Sequence, residues 1–307
     1  MKQRYFILLS FLIAGLLFLG CKQEDLTPSY LEITLEDFQN SIDVSNFNQE
    51  QEDNRDAAEL EALTSQMFRE VWISVNGDNR GVYTLPCKIP LLEYGTASVQ
   101  IDPAIRLNGN SNILPKYPFI NSFITNMTLE RGETNNFQIS PITFKYLTGI
   151  KVPILETFDQ SSSFTPVDSL SVKLEPNYHI DGRNVGKITL QDPVLNFEIV
   201  SKGFDIPLCQ YAFVEIDYRC EEEFTVGAVV KNINGLTEKI PLVNIRKPKE
   251  NDNEWRKIYV NLTQVINSYL DMTRVSRGFK IYFTGSSSDK TKTLNIYMDN
   301  VKLIYLN

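Results

Sequence analysis

A period of two runs through most of this chain. Leu31, Ile33 and Leu35 alternate with Glu32, Thr34 and Glu36, the pattern of a strand with one buried face. Val71 to Pro86 places alternating runs on both sides of Asn76-Gly77, a pair that tolerates positive φ, and so predicts a β-hairpin. Further strands are expected at Ala97 to Ile101, Val172 to Leu174, Gly186 to Leu190, Phe197 to Ile199, Tyr211 to Arg219, Phe224 to Val230, Arg256 to Leu262, Phe279 to Thr284 and Leu294 to Leu303. Only two stretches carry helical spacing. One is Gln49 to Met67, with Ala57, Leu60, Leu63 and Met67 three to four apart, where a loop is the alternative; the other is Thr263 to Leu270. The pattern predicts an all-β fold. A change of character at Tyr146 to Pro153 divides it into two β-sandwich domains, residues 31–150 and 151–307.

The first twenty residues break this pattern. Lys2 and Arg4 precede a nearly unbroken apolar run from Phe6 to Leu19, then Gly20 and Cys21. The run is shorter than the ~20 residues a spanning helix needs, which favours a cleaved signal. These residues resemble bacterial lipoprotein signal peptides, with Phe18 where a leucine or smaller residue is usual. The resemblance implies a signal over residues 1–20, lipid on Cys21 and a tether over residues 21–30. Lys22-Gln23-Glu24-Asp25 is similar to the export signal of surface lipoproteins in Bacteroidota-type bacteria. The implied location is the outer membrane, surface-exposed and held by acyl chains.

Composition narrows the partners. Removing residues 1–20 leaves 287 of 307 residues and takes the 30 basic residues to 28 against 38 acidic, a balance of −10. Nucleic acid and anionic lipid surfaces reward basic patches, so neither is expected as a partner. With Cys21 lipidated, Cys87, Cys209 and Cys220 remain, an odd number. A strand between Cys209 and Cys220 would hold them about 35 Å apart at ~3.3 Å per residue, beyond the ~7 Å a disulfide allows. All three are expected to be buried thiols.

Two family resemblances add to this reading. The hairpin at Val71 to Pro86, the segment Asp102-Pro103-Ala104-Ile105, the turn at Asn108-Gly109 and Tyr117-Pro118-Phe119 resemble the Ig-like or PEGA-like sandwich of Bacteroidota surface lipoproteins, with Ala104 where glycine is usual. Glu156-Thr157-Phe158-Asp159, the run from Asn253 to Leu262 and Ile296-Tyr297-Met298-Asp299-Asn300-Val301 resemble jelly rolls of the carbohydrate-binding-module kind. The first resemblance implies a small all-β module without known catalysis; the second implies a carbohydrate-binding-module fold, from which non-catalytic glycan binding is the expectation although fold alone does not fix function, and a structural calcium at Glu156 and Asp299. Ordinary capping of loops by these carboxylates is the alternative.

Strand parity supplies candidate ligand contacts. Ala212, Val214, Ile216 and Tyr218 would face a core, leaving Tyr211, Phe213, Glu215 and Asp217 on the other side; Tyr259, Asn261 and Tyr282 fall on the outward parity of their own strands. Tyrosines beside carboxylates and an amide suit a sugar, whose C–H bonds stack on rings while its hydroxyls pair with planar polar groups. A face covered by the first domain, or by a partner in an envelope protein complex with a structural or adhesive role, is the competing expectation. His179, the only histidine, has no nucleophile motif beside it, and zinc lacks a second histidine or a close cysteine pair. A glycosidase needs only two carboxylates, and none of the 38 acidic residues is singled out as a pair.

Overall fold

The computed structural model describes residues 26–38, 41–45, 57–137, 141–168, 172–232, 234–249 and 252–307. The expected signal, Cys21 and the run Lys22 to Asp25 lie outside these residues, as does the first part of the Gln49 to Met67 segment. The rest of that segment forms helix α1, Ala57–Thr64, which buries Ala62 and Leu63.

The N-terminal unit is a sandwich of small sheets. Its four-stranded antiparallel sheet runs Asp78–Thr84, Glu70–Val75, Gly95–Ala104, Phe123–Leu129. Asn76 and Gly77 take φ of 53° and 85°, so the hairpin turn forms where a residue pair tolerant of positive φ stands. A three-stranded sheet, Cys87–Leu91, Ser29–Ile33 and Thr134–Asn135, packs its Leu31, Ile33, Ile89 and Leu91 into the same core. Leu35, expected to continue that face, is exposed instead, because the strand ends at Ile33.

The C-terminal unit is a jelly-roll sandwich of two six-stranded antiparallel sheets. The first has the order Glu175–Ile180, Arg183–Leu190, Leu294–Leu306, Tyr211–Cys220, Arg256–Asn261, and Ile150–Glu156 pairs with the far half of Leu294–Leu306. The second runs Thr165–Pro166, Asn196–Val200, Val275–Ser286, Phe224–Lys231, Thr237–Ile245, with Phe204–Pro207 joined to the end of Val275–Ser286. Val214, Ile216, Ile258, Val260, Ile281 and Phe283 meet between the sheets, as parity predicts. Val172 to Leu174 forms no strand; the chain becomes extended only at Glu175. Helix α2, Thr263–Ser268, closes one end through buried Ile266.

The two units share a core. Phe213, Tyr259 and Ile304 of the jelly roll belong to the hydrophobic cluster of the N-terminal unit. The boundary strand divides its allegiance, Ile150 and Val152 packing on one side and Ile154 on the other, across a register shift between Lys151 and Ile154. The Asn108-Gly109 turn fastens the units at the backbone: Asn108 N–H donates to Tyr259 O at 2.9 Å, and Asn261 N–H donates to Asn108 Oδ1 at 2.8 Å. Cys87, Cys209 and Cys220 are free thiols, the last two buried and Cys87 half-buried. Among the described residues no helix is long and apolar enough to cross a membrane.

Candidate functional site

The sheet face that parity assigns to ligand is covered by the N-terminal unit. Glu215 and Lys302, opposite each other on adjacent strands, are fully buried, with Lys302 Nζ 2.9 Å from Glu215 Oε2. Tyr117 donates its hydroxyl to Glu215 Oε1, and Gln66 reaches Oε2 at 3.3 Å. Asp217 binds Lys257 Nζ at 2.8 Å, Ser65 Oγ at 2.8 Å and Asn300 Nδ2 at 2.9 Å. Tyr259 stacks near Phe68 and donates its hydroxyl to Gln66 Oε1 at 3.0 Å. Burial, and after it the charge of Glu215, pushes the phenols of Tyr117 and Tyr259 well above their ordinary range. Burial also works against the charge on Lys302, but Glu215 and Tyr146 together outweigh it and hold the ammonium more basic than usual.

This corrects the candidate list. Glu215, Asp217 and Tyr259 have no path to a ligand, because the polar groups that would grip a sugar grip the other unit. Tyr211 remains partly exposed at the start of its strand, and Asn261 turns inward along the chain, accepting a hydrogen bond from Thr263 N–H at 2.9 Å ahead of α2. Tyr282 lies in the opposite sheet, its ring packed flat over Gly227, where a Cβ would come 2.3 Å from the ring. Parity assigns side chains to faces correctly but cannot say which strands share a sheet or what lies on top of it.

A polar cleft opens instead where the N-terminal unit meets the tips of the first jelly-roll sheet. It encloses about 940 Å³. One wall comes from the N-terminal unit and is mixed: Leu35, Phe38 and Met67 stand beside Glu61, Ser65, Gln66 and Arg69. The facing wall presents Thr157, Asp159, His179, Asp181, Arg183, Asn184, Asp299 and Asn300.

Two backbone devices build the polar wall. Asp181 and Gly182, with φ of 52° and 81°, make the two-residue turn between Ile180 and Arg183, so the hairpin tip projects His179, Asp181, Arg183 and Asn184 together. Asn184 sits opposite His179, its Oδ1 3.3 Å from the imidazole Nδ1, and donates to Asp159 Oδ1 at 3.4 Å. Asp181 Oδ2 accepts from Arg219 and from the Trp255 indole, both at 3.1 Å. The Arg183 guanidinium lies 4.8 Å over the Trp255 ring. The second device is a bulge: pairing between Tyr211–Cys220 and Leu294–Leu306 slips between Glu215 and Asp217, and Asn300 takes a φ of 48°. The bulge turns Asp299 and Asn300 toward the cleft.

Asp299 is the buried charge of that wall. It is only 6% exposed, its Oδ1 accepts Asn300 N–H at 2.8 Å, and Arg183 Nη1 stands 3.6 Å from Oδ2. Burial, then the neighbouring Asp217 carboxylate, raises its pKa to about 7. Glu156 serves a different purpose. Its Oε1 accepts Phe158 N–H at 3.0 Å, and Oε2 accepts both the Ser163 N–H and hydroxyl at 2.7 Å, which caps the loop between them. Calcium takes six to eight oxygens. Glu156, committed to loop donors, and Asp299, held by an amide and a guanidinium, do not fit a shared calcium, and the described residues hold no metal-ready group of three or more His, Cys, Asp or Glu.

The cleft residues were scattered in sequence across Leu35 to Asn300, and one local signal pointed to them. Asp181-Gly182 between two alternating runs is a hairpin signature, and it would have put His179 and Asn184 side by side.

No family matches the chain, and no curated protein does. Solved structures similar to it include a non-crystalline cellulose specific carbohydrate-binding module, at 12% identity and TM-score 0.38, covering 51% of this chain and 95% of that one. The C-terminal family 22 carbohydrate-binding module of Clostridium thermocellum Xyn10B is similar at 13% identity and TM-score 0.34, covering 51% and 95%. The N-terminal CBM22-1-GH10 modules of the same organism's endo-1,4-beta-D-xylanase match at 11% identity and TM-score 0.35, over 50% of this chain but only 28% of that one. At such identities and TM-scores the similarity does not bear on ligand.

Proposed function

We propose that this chain is a non-catalytic glycan-binding lipoprotein of the outer membrane, anchored through Cys21, and that the glycan lies in the cleft between its two units. The observation that carries the binding site is the meeting of apolar and polar groups in one cleft: Leu35 and Phe38 line it together with the amide, carboxylate and guanidinium groups of Asn184, Asp159 and Arg183, around about 940 Å³. Pyranose rings offer C–H faces to the apolar groups and hydroxyl edges to the polar ones, and a pocket of this volume is in the range of ligand sites. Docking into an envelope complex through the Tyr211 strand loses its main support, since that face already receives Tyr117, Phe119 and Gln66.

Calorimetric titration of the full chain in detergent against plant, algal and host polysaccharides tests the reading. Saturable binding weakened about tenfold by Asn184→Ala and by Arg183→Ala is the expected result, equivalent to ~1.4 kcal/mol. Binding indifferent to both variants would move the site elsewhere, and silence across the panel from folded protein would remove the glycan reading. Anchoring has its own test, in which Cys21→Ser shifts the protein from the membrane to the soluble fraction.

A further inference from the structure

Three large apolar side chains left in solvent stand at one end of the N-terminal unit, where the chain enters it. Leu26, Leu92 and Tyr94 are 67%, 66% and 65% exposed. Backbone contacts gather them. Ser29 pairs with Leu91 and donates its hydroxyl to Glu93 O at 2.9 Å, so the loop carrying Leu92 and Tyr94 lies beside the start of Ser29–Ile33. Gly132 N–H donates to Pro28 O at 2.9 Å, bringing the turn from Glu130 to Glu133 to the same edge. From that turn the Arg131 guanidinium stands 4.0 Å over the Tyr94 ring. Apolar residues exposed singly need no explanation. Leucines beside a tyrosine that carries a cation have the make-up of groups at a bilayer interface, where aliphatic chains and rings sink in and the charged head stays at the level of the phosphates.

The length of chain between this end and Cys21 decides what covers it. Only Lys22 to Asp25 separate Cys21 from Leu26, so the two Cα atoms lie at most about 18 Å apart however the chain runs. Acyl chains on Cys21 would therefore bring Leu26, and Leu92 and Tyr94 with it, to the membrane surface. Glu130 and Glu133 are exposed on the Arg131 turn, and Glu93 is already paired with Arg80. Arg131 is thus outnumbered by carboxylates, which suits zwitterionic headgroups over anionic ones. We infer that Leu26, Leu92, Tyr94 and Arg131 seat in the headgroup layer of the bilayer that holds the anchor, so that the protein stands on the membrane in one pose and does not swing on its tether. This goes beyond the glycan reading and rests on the proposed anchoring through Cys21. The acyl chains supply the affinity, and the patch sets the orientation.

The full lipidated chain in phosphatidylcholine vesicles, with plain or brominated acyl chains, carries the test. Tyr94→Trp is expected to lose about half of its added emission in the brominated vesicles, because interfacial groups lie ~5–10 Å into the headgroup boundary. Subtracting the parent removes the emission of Trp72 and Trp255. Met272→Trp, at a fully exposed position of the jelly roll, should lose none. Adding Leu26→Asp and Leu92→Asp should release Tyr94→Trp from quenching while the protein still floats with the vesicles. Quenching of both reporters alike, or of neither, in protein that floats would overturn the seating and leave the anchor standing. Protein that does not float and carries no acyl mass on Cys21 would overturn both.

Discussion

Lys302 and Glu215 form a salt bridge of 2.9 Å with neither side chain exposed to solvent, at the seam between the two units. Around the pair, Tyr146 accepts a hydrogen bond from Lys302 Nζ at 3.1 Å and donates its hydroxyl to Leu63 O at 2.8 Å, while Tyr117 and Gln66 complete Glu215. Desolvating two charges is expensive, and geometry this complete is what offsets it. Removing one partner should therefore cost more than removing both. Lys302→Met alone is expected to destabilise by about 3 to 5 kcal/mol in urea unfolding, and Lys302→Met with Glu215→Leu should recover most of that loss.

The same seam makes the units interdependent. Phe213, Tyr259 and Ile304 would be stranded on the surface of an isolated jelly roll, beside Glu215, Asp217, Lys257 and Lys302. The full chain should thus unfold in one transition, coincident by tryptophan fluorescence and far-UV circular dichroism. Residues 151–307 alone should melt well below it or fail to fold. Two separated transitions, with an isolated C-terminal half as stable as the parent, would contradict the shared core.

Asp299 links stability to pH. Its carboxyl is raised to about 7 by burial first and by Asp217 second, against an ordinary 3.8, with Arg183 and Lys257 pulling the other way. The folded protein holds this proton more tightly than the unfolded chain, so the contribution of Asp299 to stability falls as pH rises from about 4 to about 7, then levels. Asp299→Asn removes the ionisation. The variant should match the parent near pH 4 and exceed it above pH 7 by at most roughly 2 to 4 kcal/mol, read as a difference in urea midpoint. Equal midpoints across the range would show that Asp299 ionises normally.

Gly227 is fixed by what lies above it. Any Cβ there would sit 2.3 Å from the Tyr282 ring, inside the van der Waals limit. Gly227→Ala should destabilise by about 1 to 3 kcal/mol as overpacking, and Tyr282→Ala in the same background should relieve part of that penalty. Thermal melts of the two single variants and the double variant measure the coupling.

Much of the architecture is legible from local pattern. The alternation of Ala212, Val214 and Ile216, the Asn76-Gly77 turn and the short helix after Thr263 all follow from period and turn chemistry, and each forms as expected. Thr237–Ile245 is less visible because it is an edge strand, interrupted by Pro241 and with Glu238 and Lys239 exposed, features that mask its period while discouraging further pairing. The site was hidden for a different reason. Whether Glu215 faces a ligand or Tyr117 depends on docking between residues about a hundred positions apart, and the cleft wall depends on a one-residue bulge at Asn300 that no periodicity announces.

The strand Leu294–Leu306 is the spine of the first jelly-roll sheet, with Arg183–Leu190 and Ile150–Glu156 along one side and Tyr211–Cys220 along the other. A nascent chain lacking these residues cannot zip that sheet, and Lys302, the counter-ion that lets the seam close, arrives with them. The first jelly-roll sheet and the seam it shares with the N-terminal unit therefore close together, around this one strand.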